Sequence, residues 1–119
     1  MRSVADAAVA LVAFLHLYFL VLEMFLWTKP FGLKTFGLKP EAAAASKSLA
    51  ANQGLYNGFL AAGLAWGLFL GEAGDPVKIF FLVCVAAAGV FGGITASRKI
   101  LWVQGVPGAV GLALVMVSR

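Results

Sequence analysis

One cysteine, one histidine and few charges are what this sequence has least of. With Cys84 alone, an internal disulfide and any CxxC redox or zinc motif are excluded. With His16 alone, a tight zinc site lacks ligands, and a bis-His haem needs two chains to share one residue. No P-loop, dinucleotide fingerprint or serine nucleophile elbow is present. Neither a metal nor a cofactor is therefore expected. Charged residues are 12% of the 119 and hydrophobic residues 62%, so a soluble domain of this length is excluded for want of polar surface. The net charge of +4 is no nucleic-acid signal, because the lysines lie beside hydrophobic segments, where they fit a membrane surface.

What is present is apolar sequence in long blocks. Val4 to Trp27 is too long for a signal-peptide core and contains His16 and Glu23, so it reads as a retained span. Further blocks cover about 48–71, 76–96 and 100–117, each near the roughly 20 residues a bilayer core requires. The connections "EAGDP" (72–76) and "SRK" (97–99) are short, so neighbouring helices run antiparallel. The expectation is all-α: a single integral membrane domain, 1–119, built as a four-transmembrane-helix up-down-up-down bundle.

Lys29, Lys34, Lys39, Lys47, Arg98 and Lys99 fall on one side of that bundle, and Arg2, Lys78 and Arg119 on the other. Positive residues favour the cytoplasm, which places both termini outside, in a bacterial inner membrane. Trp27 and Trp102 fall at the cytoplasmic interface, as belt residues do. The first loop repeats "FGLK" at 31–34 and 36–39. It reads as an interfacial segment or as a lipid-facing entry. Glycines recur every four residues at 54 and 58, at 63, 67 and 71, and at 89 and 93. Such stripes serve close helix packing within one chain or in a homo-oligomer. Pro107 is expected to kink or break the last span.

The polar residues within the spans concentrate in the cytoplasmic half. His16 and Glu23 are seven residues apart, hence nearly on one helix face. Asn52, Gln53, Tyr56 and Asn57 open the second span at the depth of Glu23. Thr95 closes the third, and Arg98, Lys99 and Gln104 open the fourth. The outer half reads as nearly devoid of polar groups. One ionisable side chain costs about 2.5–3.5 kcal/mol at the centre of a span. Interhelical polar contacts return about 0.6–2 kcal/mol each. A cluster of ten is hard to explain as glue, and reads as a polar pocket open toward the cytoplasm. Singly, each residue has a structural use: His16 as a core histidine, Glu23 in an ion pair with Arg98 or Lys99, and the amides as interhelical bonds.

"HLYFLVLEMFLW" (16–27), "LAANQGLYNGFLAAGLAWG" (49–67), "GVFGGITA" (89–96) and "SRKILWVQGVPG" (97–108) resemble the DUF1304 family of small bacterial and fungal membrane proteins. The resemblance covers essentially the whole chain and implies four spans; it carries no established activity. A weaker likeness, through Lys47, Asn52, Tyr56 and Asn57, is to the MAPEG glutathione-transferase superfamily, whose Arg-rich glutathione site is not evident here.

The chemistry open to such a pocket is acid–base chemistry on a lipophilic small molecule entering from the membrane lipid: isomerisation, epoxide opening or cyclisation. A carboxyl in a low-dielectric site holds its proton, which makes Glu23 the candidate general acid and His16 its relay partner. Tyr56 is a candidate donor to a developing oxyanion. Asn52, Gln53, Asn57, Thr95, Arg98, Lys99 and Gln104 are candidate substrate-binding residues. The alternatives are a proton-coupled small transporter subunit and a non-catalytic accessory protein.

Overall fold

The computed structural model describes all residues from Met1 to Arg119 and is all-helical, without strands. α1 is Arg2–Met24, α2 Pro30–Phe36, α3 Pro40–Ala45, α4 Lys47–Phe69 and α5 Asp75–Thr95. α6 is the single turn Arg98–Ile100, followed by a π-helical stretch, Leu101–Gly105, and by α7, Val106–Ser118. Three stretches are long and apolar enough to cross a membrane: Arg2–Met24, Gly71–Thr95 and Arg98–Ser118. The chain is accordingly an integral membrane protein by length and composition. α4 equals α1 in length but is less apolar, because Lys47, Asn52, Gln53 and Asn57 fall within it.

Packing divides the chain into two compact units, residues 1–14 with 60–119, and residues 15–59. The first unit has a core of Ala5, Val9, Val12, Leu64, Leu82, Val85 and Val115. The spacings 5-9-12 and 82-85 are those of one helix face. Its outer surface is apolar too: Phe69 is 88% exposed, Ile94 80% and Phe91 70%. Water would penalise such a surface, whereas lipid does not. Lipid also removes the hydrophobic drive between helices, so their association rests on close packing. The glycines supply it. Gly89 of α5 lies so close to Gly105 that a Cβ on Gly89 would strike the Gly105 backbone. Gly108 receives Val85, and Gly111 receives Leu82. In this unit the glycine stripe is thus used within the chain.

Pro107 sits in the first turn of α7, and the expected irregularity lies just before it. The Val106 amide donates to the Leu101 carbonyl, five residues back, as a π-turn requires. A proline has no amide hydrogen to continue the regular ladder, and the wider turn absorbs the mismatch. Ser97 starts the last helical stretch: its side chain accepts from the Lys99 amide at 3.2 Å.

The second unit joins the end of α1, the two short helices and the start of α4. The lysine-rich loop of the sequence is therefore largely helical. Both short helices begin with Lys-Pro, an extended lysine followed by proline in the first turn. α2 ends on Gly37 at φ 64, a left-handed position that suits glycine. Trp27 ties the loop down, donating Nε1–H to Ser46 Oγ at 3.0 Å and packing on Phe36 at 4.8 Å between ring centroids. Gly58 of α4 receives Leu20 of α1, and Gly54 meets Met24 and Glu23.

Candidate functional site

The second unit holds six of the sequence candidates: His16, Glu23, Asn52, Gln53, Tyr56 and Asn57. His16 follows Ala5, Val9 and Val12 on the buried stripe of α1 and is fully buried. Its ring meets Phe19 edge-on at 5.2 Å. Glu23, two turns on, is half-buried. Asn57 on α4 is 4% exposed, and its Nδ2 donates to Glu23 Oε1. Gly54, one turn earlier on α4, lets that helix approach Glu23 Cβ closely enough for this bond.

Tyr56 precedes Asn57 by one residue, about 100° round the helix, and is 52% exposed. It stacks edge-on with Phe59. Asn52 and Gln53 are exposed as well. Of the α4 candidates, Asn57 alone is buried and bonded to Glu23. Thr95, Arg98, Lys99 and Gln104 belong to the first unit. Thr95 returns its hydroxyl to the Phe91 carbonyl at 2.7 Å, Arg98 and Lys99 are exposed, and Gln104 is half-buried in the π-turn.

The ion pairs of the chain lie elsewhere. Arg2 donates through both terminal nitrogens to Asp75, at 3.0 and 3.1 Å. Lys78, 1% exposed, places Nζ 3.2 Å from Asp6 Oδ1, 3.3 Å from Asp75 Oδ1 and 3.3 Å from the Gly71 carbonyl. Glu72 adds a looser contact to Arg2 at 3.5 Å. The expectation that the outer half is nearly devoid of polar groups is corrected here. Five charged residues meet at that end of the first unit, and Lys78 is among the most buried side chains. Burial is tolerated because three oxygens receive its ammonium. The sequence did carry a signal: Arg2 and Asp6 stand at i, i+4, Asp75 and Lys78 at i, i+3, each pair at the same end of an apolar block. None of the ion pairs involves Glu23, whose hydrogen-bond partner is the neutral Asn57 amide.

No group of three or more His, Cys, Asp or Glu is placed to hold a metal ion. What the Glu23–Asn57 arrangement can do is present a carboxyl of fixed orientation inside an apolar segment.

The chain matches the profile described as "Protein of unknown function (DUF1304)" over residues 10–116. It is similar to the "Uncharacterized protein YpaA" of Lactococcus lactis subsp. lactis (strain IL1403), 30% identical over 97 residues, a stretch covering 80% of this chain and 82% of that relative. No solved structure matches. The matched profile spans all four blocks that carry the sequence resemblance, and the chain belongs to the DUF1304 family.

Proposed function

We propose that the chain is a four-span membrane protein, with α4 as the fourth span, in which Glu23 moves a proton on a lipophilic small molecule. The observation that carries this reading is the hydrogen bond from buried Asn57 to Glu23, a carboxyl that takes part in no ion pair. An ionisable group in a span is costly, and one amide contact returns less than that cost. A carboxyl kept there without a cation points to use rather than to stability.

In the simplest scheme Glu23 delivers its proton to one carbon of a double bond, leaving the cation on the other, and the carboxylate takes a proton back from the next carbon along. The bond shifts, atoms and electrons balance, and no co-reactant is consumed. Asn57 orients the carboxyl, and His16, on the same face of α1, equilibrates its proton. Tyr56 and Asn52, exposed one turn apart on α4, are positioned to meet a molecule arriving from the membrane. Arg2 and Lys78 are ion-paired, which leaves Arg119 alone against the loop lysines with Arg98 and Lys99; both termini are accordingly proposed to lie outside. Whether copies associate in the bilayer is a separate question, which cross-linking in native membranes answers.

The test compares lipid extracts incubated with membranes containing wild type, Glu23→Gln or His16→Ala. A lipophilic compound is expected to change into an isomer of equal mass with wild type and not with Glu23→Gln. If no compound depends on Glu23, the reading fails, and a proton-coupled carrier or an accessory subunit replaces it.

A further inference from the structure

Along the first unit an open groove follows a helical stripe: Val83, Ala87, Val90 and Ile94 on α5, then Arg98 and Trp102 beyond the turn. Its two parts, about 510 and 640 Å³, adjoin at Val90 and Ile94, which line both. The α5 portion is apolar throughout. Eleven residues separate Val83 from Ile94, which at the helical rise is about 16 Å, close to half of the roughly 30 Å hydrocarbon core. The groove is therefore one leaflet deep. At its end stands the Arg98 guanidinium, exposed and without an ion pair or hydrogen bond in the chain, beside Trp102, 68% exposed. A tryptophan and a free cation at the end of a span mark the headgroup level.

We propose that this groove holds one acyl chain of an anionic phospholipid of the surrounding bilayer, with the lipid phosphate on Arg98. Length argues for the acyl chain, since the trough ends where one leaflet ends. Charge argues for the anion, since Arg98 lines the groove without an acidic partner, whereas Arg2 and Lys78 are each held by carboxylates. The planar guanidinium suits a phosphate better than an ammonium does. The proposal does not depend on the chemistry of Glu23.

The test is native mass spectrometry of the full-length chain released from detergent containing equal phosphatidylglycerol and phosphatidylcholine. Wild type is expected to retain phosphatidylglycerol about fivefold over phosphatidylcholine, the weight of one basic residue at an anionic bilayer surface. Arg98→Gln is expected to lose the preference, and Lys99→Gln, which removes the same charge one residue away, to keep it. Ala87→Phe, filling the groove on an exposed face, is expected to lower retention of both lipids, whereas Ala88→Phe beside it is expected to leave retention unchanged. Equal retention of the two lipids by wild type overturns the proposal. So does a loss of preference in Lys99→Gln as large as in Arg98→Gln, which marks diffuse surface attraction.

Discussion

The hydrogen bond between Asn57 and Glu23 sets a stability coupling that a double-mutant cycle measures. Asn57 is buried and Glu23 half-buried, so removing the amide leaves the carboxyl only part of its solvation. Interhelical polar contacts in membranes average about 0.6 kcal/mol, with a maximum near 1.7 kcal/mol. A contact to a half-buried carboxyl belongs in the upper half of that range, so the expected coupling between Asn57→Ala and Glu23→Ala is about 1–1.5 kcal/mol. Unfolding of purified protein in bicelles, for wild type, both single variants and the double, provides the four free energies. Glu23→Gln keeps an acceptor oxygen for Asn57 and is expected to be nearly neutral in the same assay. That neutrality separates stability from chemistry, because the same variant is expected to abolish turnover. A coupling within about 0.3 kcal/mol of zero refutes the contact and the orientation argument built on it.

The remaining predictions address packing, the ion cluster and topology. Gly89→Ala is expected to cost about 1–3 kcal/mol, since its Cβ would meet Gly105 backbone that cannot rotate away; the same unfolding assay reads it. Asp75 accepts from both Arg2 and Lys78 whereas Asp6 accepts from Lys78 alone, so Asp75→Asn is expected to lower the melting temperature more than Asp6→Asn. The reverse order would contradict the central place of Asp75. In a Cys84→Ala background, Ser3→Cys and Arg119→Cys are expected to react with a membrane-impermeant thiol reagent from the same side, outside. Reaction from opposite sides means that three helices cross and α4 does not.

Much of the architecture was legible because membrane insertion depends on length and apolarity, which are local. The helical class, the Asp75-Pro76 start of α5 and the disturbance ahead of Pro107 all follow from such local rules. The loop at 28–47 hid two short helices, because Pro30 and Pro40 serve equally as breakers and as first-turn residues. Depth could also be counted from sequence, but azimuth could not. Tyr56 and Asn57 are neighbours at one depth, yet one is exposed and the other buried against Glu23. The Lys78 cluster escaped for a different reason. Its partner Asp6 lies 72 residues away, and only the packed unit brings it to Lys78 beside Asp75.

The most direct test of the central claim is solvent-deuterium incorporation. Membranes carrying the protein are incubated in D2O with a total lipid extract, and lipophilic products are examined by mass spectrometry for deuterium bound to carbon. Proton delivery by Glu23 predicts a compound that gains carbon-bound deuterium with wild type and gains none with Glu23→Gln, although both variants are folded. Identical labelling in the two samples would contradict the account.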